Sequence, residues 1–185
     1  MSLRKVGWEL AHRATRAEQR GRVANVVELQ DLVKAFTGLY PVWLVELLAE
    51  VPLCGLRLGW TKRPPRDPGD ISWAVWSGPR EAQVESLRTD WPGRFVLPLG
   101  YINVAGDGSY CGNPYFVLAD GNPDPALYQI YHDGGQTGEG LVATRRFVAP
   151  SLSAFFRTAL VRVPPELAWD DEDAEPDSAS DRLDM

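Results

Sequence analysis

Residues 100–133, GYINVAGDGSYCGNPYFVLADGNPDPALYQIYHD, decide how the rest of the chain is read. Three short runs within them, 101–104, 115–119 and 127–132, are rich in β-branched and aromatic residues, and each ends in a Gly/Asp/Asn/Pro cluster. Gly106-Asp107-Gly108 supplies residues that tolerate positive φ, and Asp120-Gly121-Asn122-Pro123-Asp124-Pro125 joins a D-G pair to strand-stopping prolines. The pattern predicts an antiparallel meander with one face on a core.

Upstream, Asn25 stands where a helix cap belongs. Val26, Leu29, Val33 and Phe36 recur at helical spacing, and Gly38 follows as a C′ residue. Pro41 opens a second helix, largely apolar to Val51 except for Glu46 and Glu50. Leu56, Leu58 and Trp60 alternate with Arg57 and Gly59 as a half-buried strand, 61–70 is a proline-rich loop, and 71–76 reads as another strand. Residues 77–91 are expected to be helical, with Val84, Leu87 and Trp91 on one face, and 94–99 to be a strand. The glycine-rich GGQTGEG after Asp133 reads as a flexible link to a strand at 141–143. Ser151 then caps a last helix with Leu152, Phe155, Phe156, Ala159 and Leu160 as its stripe. The expected fold class is α+β: a single domain with a bent, mainly antiparallel sheet of about six strands flanked by three to four helices.

A length of 185 residues suits one domain with appendages, and 44% hydrophobic with 24% charged residues is ordinary soluble usage. The net charge of −6 is unevenly spread. Residues 164–185 carry −8, residues 1–22 carry +4 and residues 23–163 carry −2. This divides the chain into a basic N-terminal arm (1–22), read as a frayed or surface helix, an α+β body (23–163) and an acidic, disordered tail (164–185). The arginines of the arm are scattered, so direct nucleic-acid binding is not expected. No apolar run is long enough for a bilayer span and no export signal stands at the start, which predicts a cytoplasmic protein with Cys54 and Cys111 reduced.

Three chemical constellations are weak, two of them on spacing. Gly106–Gly112 resembles a phosphate loop, but its third glycine is late, a strand follows it, and Asp107 would repel an anion. Asp120, Asn122 and Asp124 start like a calcium loop, but Pro125 stands where glycine is required and Tyr131 where glutamate is. Cys111 and His132, with Asp133 or Asn113 as orienter, form a nucleophile–base pair only on paper, because Cys111 has no following helix to activate it. No metal or cofactor is implied.

In consistent order over residues 25–161, the chain resembles the SUKH superfamily, which includes fungal cell-wall assembly regulators and many bacterial immunity proteins. The resemblance rests on four segments. Tyr40-Pro41-Val42-Trp43-Leu44-Val45-Glu46-Leu47-Leu48 is similar to the family's proline-initiated helix, and Gly106-Asp107-Gly108 with Gly112-Asn113-Pro114-Tyr115-Phe116-Val117-Leu118 to its acidic glycine turn and "YFVL" strand. Tyr131-His132-Asp133 is similar to its strand end, and Ala149-Pro150-Ser151-Leu152-Ser153-Ala154-Phe155-Phe156 to its last helix. Val51-Pro52-Leu53-Cys54-Gly55 departs from the family's Asn-Gly-Gly turn.

The resemblance implies a protein-binding module with no enzymatic activity, of a kind that neutralises nuclease or deaminase toxins by direct occlusion. The expected contact residues are the turns and exposed aromatics of the meander: Asp107, Tyr110, Asn113, Tyr128, Tyr131, His132 and Asp133. The alternatives are a regulatory or scaffold protein that uses its acidic tail, and an enzyme built on Cys111 and His132.

Overall fold

Asn25 does what its position suggests. Its side chain accepts from the amides of Val27 and Glu28 at 3.0 Å, and Glu28 reaches back to the Asn25 amide at 2.8 Å. Helix α2 (Val26–Ala35) starts there. Arg22 adds two bonds to the Glu28 carboxylate at 2.7 and 2.8 Å, which offset the burial of this charge. In the computed structural model, which describes residues 2–36, 38–76, 84, 91–108 and 112–164, α2 leads to α3 (Val42–Glu50) and to β1 (Arg57–Trp60) and β2 (Ser72–Trp76). Next come α4 (Gly93–Val96), with a 3-10 turn at Leu97–Leu99, and β3 (Tyr101–Asp107), β4 (Tyr115–Leu118) and β5 (Leu127–Gln129). Helix α5 (Gly138–Ala143), strand β6 (Arg146–Ala149) and helix α6 (Leu152–Thr158) complete the fold. Helix α1 (Leu3–Arg16) precedes all of these.

The six strands form one antiparallel meander in the order β1-β2-β3-β4-β5-β6, curled into a half-barrel. The α+β class and the bent six-stranded sheet therefore stand as the sequence predicts, with six helices among the described residues instead of three to four. The curl brings the chain beyond α6 back to the first strand. Gly59 and Leu160 exchange backbone bonds of 2.7 and 2.8 Å, closing the β1 edge.

Ladder register separates the two faces of the sheet. The inner face carries Leu58, Trp60, Ala74, Trp76, Tyr115, Val117, Leu127 and Gln129, and Trp76 meets Phe156 of α6 edge-on at 5.1 Å. The outer face carries Trp73, Phe116, Tyr128 and Phe147.

Four local expectations are corrected. Residues 94–99 are not a strand: they form α4 and its 3-10 turn, because Pro98 donates nothing to a ladder and Gly100, at φ +83°, ends the turn. Residues 141–143 belong to α5, which Thr137 caps by accepting from the Gly140 amide at 3.1 Å, and the sixth strand is Arg146–Ala149. The glycines before α5 serve close packing: a Cβ on Gly138 would lie 2.3 Å from the Phe95 carbonyl oxygen. The third strand of the meander stops at Gln129, three residues short of His132.

The fourth correction concerns the N-terminus, where α1 is neither frayed nor an arm. Val6, Leu10 and Ala14 join the core, Gly7 lets the helix approach Val51, and Arg13 donates to the carbonyls of Phe156 and Ala159. The alternation of small and large apolar residues at positions 6, 7, 10, 11 and 14 carried this stripe beneath the arginines. The expected helix at 77–91 falls mostly on residues outside the described ones, as does the acidic tail from residue 165.

Candidate functional site

The end of β3, the entry to β4 and the exit of β5 meet at one rim of the half-barrel. The β4–β5 register, with Tyr115 opposite Gln129, sets residue 113 across from residue 131. Asn113 exploits that juxtaposition. Its amide donates to Asp107 Oδ2 at 3.1 Å, its carbonyl accepts from Gln129 Nε2 at 3.1 Å, and its Oδ1 accepts from the His132 amide at 3.2 Å. The same Oδ1 lies 3.0 Å from His132 Nδ1. The bond from the His132 amide identifies this atom as the carboxamide oxygen, which carries no hydrogen, so a neutral imidazole satisfies the contact only with its proton on Nδ1 and Nε2 as the acceptor. Trp91 Nε1 fixes the same residue from behind by donating to the His132 carbonyl. His132 and Asp133 are exposed.

This tautomer is directly measurable. With neutral imidazole, the ¹⁵N shifts of His132 are expected to report the Nδ1–H form. Asn113→Ala is expected to return the ring to the Nε2–H form favoured in free histidine, and an Nε2–H signal in the unmodified chain would refute the arrangement.

Behind the rim lies a buried polar chain. Tyr115 Oη accepts from Trp60 Nε1 at 2.9 Å and from Gln129 Nε2 at 3.3 Å, and donates to the Trp73 carbonyl at 3.3 Å. Burial pushes this hydroxyl well above the ordinary phenol range, with the Asp107 carboxylate adding to the rise and the Trp60 hydrogen bond and Arg146 opposing it. Arg146 stacks 4.3 Å over the Trp60 ring and donates to Tyr131 Oη at 3.3 Å, joining the two edge strands across the mouth. Tyr115→Phe would strip Trp60 Nε1 of its acceptor in a buried site, and stability is expected to fall by about 1–3 kcal/mol in a urea titration.

The expected contact residues therefore divide. Asp107, Asn113, Tyr131, His132 and Asp133 share the rim. Tyr128 lies on the outer face between Tyr101 and Phe147, at centroid distances of 6.1 and 6.0 Å, under the Arg145 guanidinium. Tyr110 falls outside the described residues, as does Cys111, so the Cys111–His132 pairing has no geometry here. Trp60, Trp91, Gln129 and Arg146 were not read as part of this end of the sheet. Only the curl brings Arg146 over Trp60, and a local pattern does not encode curl.

The motif readings rejected on spacing meet structural reasons as well. Gly106 and Asp107 are ladder residues, and the Gly108 amide continues that ladder to the Trp73 carbonyl at 2.8 Å. Asp120 and Asn122 each accept from the amide two residues on at 3.0 Å, and Asp124 Oδ1 accepts from Ser153 N at 2.8 Å at the start of α6. Among the described residues no group of three or more His, Cys, Asp or Glu is placed to share a metal ion, and no helix is long and apolar enough to cross a membrane.

No family model, curated protein or solved structure matches the chain. The rim is thus read from its own chemistry.

Cys54, the free thiol among the described residues, is buried beside the Arg22 bridge, and burial pushes it up to about 11. An acid whose neutral form the fold prefers contributes stability that is complete below its unfolded value near 9 and is lost as pH rises toward 11. The urea midpoint is expected to fall between pH 8 and pH 10, and Cys54→Ala to flatten that fall. Buried Tyr115 and half-buried Tyr40, each raised by desolvation, add losses of the same sign above pH 10.

Proposed function

We propose that the chain is a cytoplasmic protein-binding domain of the SUKH type that performs no catalysis, an immunity protein that blocks a nuclease or deaminase toxin by covering its site. One observation carries this reading: the exposed His132–Asp133 tip is held by Asn113, Trp91 and the strand register before any partner arrives. A surface fixed in advance loses little conformational entropy on binding, which favours recognition by complementarity. The rim also presents Asp107 and Asp133 beside the aromatic Tyr131, a combination suited to the basic groove of an enzyme that handles nucleic acid. The curled antiparallel meander agrees with the fold that the resemblance implies.

The test is binding to the product of a toxin gene adjoining this one. Calorimetry is expected to show a tight complex that protects co-expressing cells. Tyr131→Ala with Asp133→Ala is expected to weaken it by about 2 kcal/mol or more, roughly thirty-fold, as for other interface anchors. Unchanged affinity in the double variant would remove the rim from the interface.

A further inference from the structure

The loop 61–66 overhangs a cleft that adjoins the rim and shares Trp60 and Arg146 with it. One part, about 540 Å³, is lined by Trp60, Val148, Phe155, Leu160 and Pro164 together with this loop. The adjoining part, about 600 Å³, is lined by Lys62, Arg63, Arg66 and Arg146, with Asp70 as its acidic member. The Asp70 carboxylate is held by the amides of Arg66 and Asp67 at 2.9 and 3.3 Å and offsets one of the four positive charges. The four cations form no ion pair with any described residue, and Arg146 Nε, shielded from water, meets no acceptor among them. In a chain of net charge −6 this is a concentrated positive surface next to an apolar slot.

We infer that this cleft is a binding site for an acidic peptide whose apolar residues precede its carboxylates, and that its occupant is the chain's own segment 167–175. The last described residue, Pro164, lines the apolar part. Five residues on comes Trp169, in Leu167-Ala168-Trp169, and then Asp170, Asp171, Glu172, Asp173 and Glu175. Five residues reach at most about 18 Å, enough to seat Trp169 within the apolar part and to leave the carboxylates facing Lys62, Arg63, Arg66 and Arg146. The order of apolar and acidic residues along the segment matches the order of apolar and basic lining away from Pro164. The other basic surface, on α1, competes poorly. Arg4 is already bonded to Glu50 at 2.6 Å, and Arg13 is turned onto the α6 carbonyls. The inference does not depend on the proposed partner of the rim.

The chain has three lysines, Lys5, Lys34 and Lys62, which makes a contact test selective. A carbodiimide, which joins an amine only to a carboxylate it touches, is applied to the full chain, and the linked peptides are identified by mass spectrometry. Lys62 is expected to be joined to a carboxylate within 170–175 in monomeric protein. The product is expected to be lost at about 0.5 M salt, where screening shortens to a few ångströms. It is also expected to be lost in Trp169→Ala and in Arg63→Glu with Arg66→Glu, the latter two at exposed positions. Joining to Lys5 instead, linkage found only in dimers, or no linkage to 170–175 would each overturn the inference.

Discussion

A Phe156→Ala chain is expected to unfold at lower urea concentration, with its stability reduced by about 3–5 kcal/mol and its denaturant slope unchanged. Phe156 is fully buried, meets Trp76 of β2 edge-on at 5.1 Å and lies 6.1 Å from the Phe155 ring. Its carbonyl also accepts from Arg13 of α1. The side chain therefore sits where sheet and helices converge, and its removal leaves a void that rigid strands cannot fill. Domains are stable by only about 5–15 kcal/mol, so this single change consumes a large share. Phe147→Ala is the control. That ring is 53% exposed on β6, and its loss is expected to change stability by less than about 0.5 kcal/mol. Equal effects of the two substitutions would contradict the packing described.

Gly21→Ala is expected to cost about 3 kcal/mol or more, beyond the usual range for overpacking, because the obstacle is backbone. A Cβ at this position would lie 2.0 Å from the Pro52 carbonyl oxygen and 3.0 Å from Leu56 Cγ. Relief requires residues 20–22 to move away, and Arg22 is held there by paired backbone bonds to Cys54 of 2.9 and 3.0 Å and by its bridge to Glu28. Thermal unfolding checks the size of the loss. Gly55→Ala supplies the contrast: its Cβ would enter open space, so only the strain of φ +92° is left to oppose it.

The meander was legible because its signals are local. Alternation, a D-G turn and prolines mark β3 and β4 within a few residues of one another, and the Asn25 and Ser151 caps are read from adjacent positions. Strand β6 was missed because Arg146-Phe147-Val148-Ala149 is short and places an exposed Phe147 beside a half-buried arginine, against the usual polarity of a strand. Helix α5 was hidden by glycines whose role, close approach to Phe95, depends on a distant segment. The rim was half legible. Asp107, Asn113 and His132 each stood out as turn or strand-end residues, but their connection requires the β4–β5 register, and Arg146 over Trp60 requires the curl of the whole sheet.

The pairing of α1 with α6 also constrains how the molecule is made. Arg13 and its acceptor Phe156 are separated by 143 positions, so α1 is made long before the α6 carbonyls it bonds. At about 5–20 residues per second, the apolar stripe of Val6, Leu10 and Ala14 lacks that cover for roughly 7–30 s of synthesis. Until α6 has been made, docking of α1 against α3 is the cover the fold offers this stripe.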